Sequence, residues 1–149
     1  MRLSLTISPS FEDGFGIEIQ SRRKPSRGNY FVVKTKGLAR DSFVRVSAHE
    51  MTFDPIVPTW ELEDADAVQL ETLVTSVTVS PPLGEPCTLD GTLISLSIQR
   101  GDNLIAVEWN SEPDERWSGV SELVGFLVQL HSKYRILRDL PDNTPADGR

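Results

Sequence analysis

Four segments of the chain alternate apolar and polar residues, and this period of two is the feature that most constrains the fold. Residues 3–7 alternate Leu or Ile with Ser or Thr, and residues 15–19 alternate Phe or Ile with Gly or Glu. The same pattern returns in "TLISLSI" and "NLIAVEW". Successive side chains of a strand point to opposite faces, so each segment has one apolar and one polar face. The alternation predicts an antiparallel sheet that buries one face.

Turn-forming residues connect these strands. "SPSFEDG" separates the first pair and "QRGD" the second, and both predict hairpins. Gly and Asp suit a tight turn, so "RGD" is interpreted as a turn and not as an adhesion motif. "NYFVVKTKG" and "SFVRVSAHEMTF" supply a third and a fourth strand, and the two prolines of "DPIVPTW" end this series.

Two further segments have the period of a helix. In "WELEDADAVQLETLVTSVTV" the apolar face consists of Ala67, Leu70, Val74 and Val77. Its acids, from Glu61 to Asp66, are expected in the first turns, at the positive end of the helix dipole. The β-branched "TLVTSVTV" leaves the end of this helix open. The second helix, in "SGVSELVGFLVQLHSKYRIL", has Ser118 as its expected N-cap and an apolar stripe made of Val120, Leu123, Val124, Leu127, Leu130 and Tyr134.

The order of these segments, β-β-β-β-α-β-β-α, predicts an α+β fold. We expect an antiparallel sheet of about six strands packed against two helices. A chain of 149 residues suits a single domain, which we place at residues 1–140, with a flexible tail at 141–149.

Residues that carry metal or catalytic chemistry are sparse. Cys87 is the only cysteine, and the two histidines, His49 and His131, lack the spacing of a zinc motif. No nucleophile elbow, Walker loop or dinucleotide fingerprint occurs. We therefore expect no enzyme, no catalytic residue, no cofactor and no metal. The chain has no secretory apolar core and no apolar run of roughly 20 residues, which favours a cytoplasmic protein that does not enter a membrane.

Charge is distributed unevenly. Residues 1–60 carry a balance of +3 and residues 61–149 a balance of −10, within a net charge of −7. A negative field of this kind attracts a basic partner and repels nucleic acid. The alternative is that the charge serves solubility alone.

The acids that could form such a surface fall into two groups. One lies in "VEWNSEPDERW", whose two tryptophans make it either a binding surface or a connection between a strand and a helix. There, alternation turns Trp109 toward the core and Glu108 away from it. The other group begins the first predicted helix. The expected partner-binding residues are Glu108, Glu112, Asp114, Glu115, Trp117, Glu61, Glu63, Asp64 and Asp66. Trp117 has a second interpretation, in which it packs over the start of the last helix.

A basic segment at residues 22–40 supports a different function. It contains seven Lys or Arg residues and no acid, and Tyr30 and Phe31 lie among them. Cations beside aromatic rings can hold single-stranded nucleic acid, so a nucleic-acid-binding module is an alternative. Lysines on a hairpin also discourage edge-to-edge pairing, and we rank that structural role higher. An uncharacterised enzyme is the remaining alternative.

The segment "LDGTLISLSIQRGDNLIAVEWNSEPDERWSGVSELVGFLVQL" resembles small bacterial immunity proteins of toxin–immunity systems, over roughly residues 88–134. The shared pattern is a hairpin that begins with DGT, a Trp at the end of its second strand, a proline-containing loop and an amphipathic helix. The resemblance implies a non-enzymatic inhibitor that neutralises a basic toxin, for example a nuclease, and it assigns no functional residues. The identity of the toxin and the oligomeric state remain open.

Overall fold

The segments that alternate apolar and polar residues form a sheet, and one face of this sheet is buried under the helices. The computed structural model describes residues 1–10, 13–38, 59–80 and 91–139, and these form six strands and two helices. The strands are β1 (Arg2–Pro9), β2 (Gly14–Lys24), β3 (Gly28–Leu38), β4 (Trp60–Glu61), β5 (Thr92–Arg100) and β6 (Asn103–Asn110). The helices are α1 (Asp64–Ser76) and α2 (Val120–Asp139). The predicted α+β fold is confirmed.

Every pairing in the sheet is antiparallel, and the strand order is β4-β3-β2-β1-β5-β6. β1 lies at the centre, where Leu5 is opposite both Ile17 of β2 and Leu96 of β5. The two predicted hairpins are present as β1–β2 and β5–β6, and "RGD" forms the turn of the second, where Gly101 has φ +58°.

One sheet face packs against both helices. The side chains of this core include Leu3, Ile19, Leu96, Leu70 and Leu127, each with no more than 1% of its surface exposed. The predicted α2 stripe lies in or against this core, and so does the predicted α1 face. α1 ends at Ser76, after which Val77 is extended and Thr78 forms a β-bridge with Ser118. The β-branched segment is therefore helical in its first part and extended in its second.

The described residues contain a short strand that the sequence did not predict. The proposed strand at residues 42–53 lies outside the described residues, as do His49, Cys87 and the predicted tail at 141–149. β4 is formed by Trp60 and Glu61, and of these two residues Glu61 was expected in the first turns of α1. Trp60 pairs with Val33 and has 9% of its surface exposed, so the core holds this residue in a strand.

The N-cap prediction for α2 is wrong by one residue. The backbone of Ser118 is engaged with Thr78 through hydrogen bonds of 2.9 Å in both directions. The helix begins at Val120, directly after Gly119, which has φ +74°. The bridge to Thr78 therefore takes Ser118 away from the helix start.

Candidate functional site

The first part of the candidate surface is β6, the outermost described strand on its side of the sheet. Trp109 faces the helices with 4% of its surface exposed, and Ile105 and Val107 on the same face are half-buried. Glu108 is exposed, and its carboxylate accepts a hydrogen bond of 3.0 Å from the Ser95 hydroxyl. The predicted division of faces is confirmed.

The loop after β6 is ordered by its own polar groups. Ser111, at φ +59°, donates its backbone N–H to Thr92 O at 2.9 Å, which ties the loop to the end of β5. Asp114 accepts hydrogen bonds from the Arg116 backbone N–H at 2.9 Å and from the guanidinium Nε at 2.8 Å. The Arg116 side-chain and backbone hydrogen bonds lower the pKa of Asp114 to about 2. The one base of the loop is thus already paired within it.

Trp117 is a core residue. Its exposed fraction is 9%, its indole N–H donates to Ser80 O at 2.7 Å, and its ring meets Trp109 edge-to-face with centroids 5.8 Å apart. The hydrogen bond satisfies the polar N–H of the indole, and the packing covers its apolar ring. The structure therefore fits the second interpretation of Trp117, in which it packs over the start of α2, and its contact with a partner stays a prediction.

The remaining acids of this region are exposed. Glu112 and Glu115 lie on the loop, and Glu122 lies in the first turn of α2. No ion pair joins Glu108, Glu112, Glu115 or Glu122 to a basic residue among residues 1–10, 13–38, 59–80 and 91–139. We call these four residues the acidic end. Glu122 was not among the predicted site residues, because its place near a helix start explained it locally.

The second predicted group of acids is largely neutralised. Glu61 forms an ion pair with Arg27, and Asp64, with 98% of its side chain exposed, lies 3.9 Å from the same guanidinium. Lys133 of α2 binds Glu63 at 2.9 Å and Asp66 at 2.8 Å, and these two hydrogen bonds raise the pKa of the lysine. The group that was expected to extend the negative surface instead joins α1 and β4 to α2 and to the β2–β3 turn.

The basic segment is also reorganised by the fold. Phe31 is 8% exposed and belongs to the core, so its ring is not available for stacking on a base. Tyr30 is half-buried, and Lys24 Nζ lies 4.7 Å from the centre of its ring. Arg27 is engaged by Glu61. The aromatic pair that motivated the nucleic-acid hypothesis is divided between opposite faces of β3.

Sequence reasoning missed one buried charge. Glu18 lies on the sheet face opposite the helices with 1% of its side chain exposed. One carboxylate oxygen accepts hydrogen bonds from Arg2 Nε at 2.8 Å and from the Gln20 amide at 2.7 Å. The other oxygen has no hydrogen-bond partner in the described part of the chain. Alternation had placed Glu18 on a polar face, and nothing local indicated that this part of the face is buried.

The predicted structural role of the second histidine fits its surroundings. His131 is 4% exposed and stacks on Phe15 with ring centroids 4.3 Å apart. Within the described ranges, no group of three or more His, Cys, Asp or Glu side chains is arranged to hold a metal ion. None of the described helices is both long enough and apolar enough to cross a bilayer.

The geometry defines an α+β domain in which the outer edge of β6 has no described strand beside it and lies next to exposed acids that form no ion pair in the described ranges. Comparison with protein-family models, with curated proteins and with solved structures finds no match to this chain.

Proposed function

We propose that the protein is a non-enzymatic inhibitor, an immunity protein that acts in the cytoplasm by binding a basic toxin such as a nuclease. The contact surface is the acidic end. The observation that carries the proposal is the contrast between the two groups of acids. Glu61, Glu63 and Asp66 form ion pairs with Arg27 or Lys133, whereas Glu112 and Glu115 form no ion pair in the described ranges, and Glu115 has only a weaker electrostatic interaction with Arg116. The loop after β6 therefore carries exposed acids that form no ion pair in the described ranges, and the exposed Glu71 of α1 and Asp102 of the β5–β6 turn form none there either.

Stability alone is a poor reason for this concentration. Like charges on one short loop repel one another, and the nearest base, Arg116, is held by Asp114. The same charges become favourable when a cationic surface covers them, since complementary potentials raise the rate of encounter and select the partner. The Asp114–Arg116 pair and the Ser111–Thr92 hydrogen bond order the loop in advance, which lowers the entropic cost of binding.

A matched pair of double variants tests the location of the surface. E112Q/E115Q and E63Q/D66N change the net charge equally, but only the first removes uncompensated acids. The partner is captured from the source cells with the tagged protein, purified, and mixed with each variant in stopped-flow experiments. We expect E112Q/E115Q to slow association about three- to tenfold at low salt and E63Q/D66N to change it less.

The salt dependence of association and a growth assay complete the test. Association of the wild-type protein should slow as ionic strength rises, because screening shortens the reach of the field. Co-expression should restore growth to cells that express the partner, and E112Q/E115Q should protect them less well. Recovery of only acidic or neutral partners, or an association rate that salt leaves unchanged, would contradict the proposal.

A further inference from the structure

Among the residues that the structure describes, nothing pairs with the outer edge of β6. Its pairing with β5 is regular from Leu93↔Asn110 to Arg100↔Asn103, and no described strand pairs with its other side. Proteins protect free edges with prolines, lysines, bulges or very short strands. β6 has eight residues, contains neither proline nor lysine, and carries Glu108 as its single charge.

The backbone groups that face this edge follow from the ladder. The hydrogen bond from Ser111 N to Thr92 O marks a hydrogen-bonded pair next to the strand end. Hydrogen-bonded and non-hydrogen-bonded pairs alternate along an antiparallel ladder, so Ile105, Val107 and Trp109 direct their N–H and C=O groups to β5. The N–H and C=O groups of Leu104, Ala106 and Glu108 therefore point outward.

The side chains around the edge are apolar on both sheet faces. Leu104 is 51% exposed and Leu93 of the neighbouring strand is 40% exposed, both on the face away from the helices. On the helix face Ile105 and Val107 are only half-buried. A strand added here would cover apolar surface above and below the sheet as well as pair the backbone.

The acidic residues on and after β6 indicate which kind of strand can pair with its outer edge. Glu108 lies on the edge strand itself, and the exposed Glu112 and Glu115 follow directly after it. A second copy of the chain would bring the same acids and a net charge of −7 to this edge. A strand with lysine or arginine side chains would meet opposite charge across the pair, which stabilises cross-strand neighbours.

We infer that the partner donates an extended basic segment that adds to β6 as a further strand of the sheet. Main-chain hydrogen bonds to Leu104, Ala106 and Glu108 supply affinity, and contacts with the acidic end select for basic side chains. The basic character of the segment rests on the function proposed above, whereas the accessibility of the edge does not.

A synthetic peptide tests the inference directly. The probe is a blocked peptide of the length of β6 that alternates lysine with valine. The control peptide has the same sequence with every backbone amide N-methylated, which keeps the charge and removes the backbone hydrogen-bond donors. Binding is followed by amide hydrogen exchange in NMR spectra at low salt. In the free protein we expect faster exchange for Leu104, Ala106 and Glu108 than for Ile105 and Val107, and we expect the lysine peptide to slow the first three about tenfold.

A pair of protein variants, each changed at Ala106, tests the same edge of β6. A106P removes one outward N–H and leaves the ladder to β5 intact, because proline is compatible with an edge position. A106T retains the N–H at the same exposed site. We expect A106P to weaken binding of the lysine peptide about tenfold and A106T to bind it like the wild-type protein.

Several outcomes overturn the inference. Equal binding of both peptides without slowed exchange would mean capture by charge alone, which rejects strand addition and leaves the proposed function standing. Failure of the lysine peptide to bind at low salt also rejects it. Equal affinity for a peptide with glutamate in place of lysine rejects the basic partner, and with it the proposed function. Exchange at the edge that slows with protein concentration, together with a dimer in sedimentation, assigns the edge to a second copy instead.

Discussion

Glu18 carries its charge in a position where burial opposes it. Its carboxylate is on β2, on the face away from the helices, and one of its oxygens lacks a hydrogen-bond partner in the described ranges. Burial raises the pKa of this carboxyl, and hydrogen bonds from Gln20 and Arg2 oppose the shift only in part. The ionised form is thus less favourable in the folded protein than in the unfolded chain.

This environment predicts how E18Q depends on pH. For an acid with a raised folded pKa, the contribution to stability is complete below the unfolded pKa and is lost as pH rises through the folded pKa. The wild-type protein should therefore lose stability relative to E18Q as pH rises above the ordinary glutamate pKa of about 4. Urea unfolding of both proteins over a series of pH values that starts below this point measures the difference. Parallel pH dependences would show that Glu18 is not the cause.

At the scale of elements, the junction of α1 and α2 depends on Gly119. This residue has φ +74°, and a Cβ built on it would lie 2.9 Å from the backbone oxygen of Ser76 at the end of α1. A side chain here would be both strained and in contact with backbone that cannot rotate away. Gly119 therefore permits the Thr78–Ser118 bridge and the start of α2 to lie side by side.

Two glycines of one region form a matched test. G119A should lower the free energy of unfolding by about 1–3 kcal/mol, because it adds positive-φ strain and a backbone clash. G125A, at an exposed position inside α2 with no atom within 4 Å of the added Cβ, should raise it by about 0.5–1 kcal/mol. Chemical denaturation of both variants measures the two signs. Equal effects would contradict the proposed geometry of the junction.

At the scale of the whole molecule, one apolar cluster contains residues from both helices and from all six described strands. Trp60 lies at one side of the sheet, and Trp109 and Trp117 lie at the other. The domain should therefore unfold as one unit. We expect urea transitions followed by tryptophan fluorescence and by far-UV circular dichroism to coincide. In the variant W60F the fluorescence comes only from Trp109 and Trp117. If its fluorescence transition and its circular dichroism transition fell at different urea concentrations, the two sides of the sheet would unfold independently.

The sequence supported more of the fold than of the site. The faces of β5 and β6 and the stripe of α2 were predictable, because they depend on local alternation. Trp60 was not recognised as a strand residue, because a strand of two residues next to a helix leaves no periodic pattern. Among the candidate site residues, Glu112 and Glu115 are exposed as expected, but Trp117 is buried against Trp109. The sequence around an aromatic residue in a loop does not distinguish a buried side chain from an exposed one.

The sequence by itself determined the two helices and every described strand except β4, and which of their faces are apolar, because both periods are fixed by local backbone geometry. Only the tertiary structure decided that β1 lies between β2 and β5, that β6 is the outermost described strand on its side, and which of the described acids form ion pairs. Those outcomes depend on pairs far apart in the chain, such as Arg27 with Glu61 and Asp66 with Lys133. Ion pairing requires proximity in space, and a count of charges along the sequence contains no information about it.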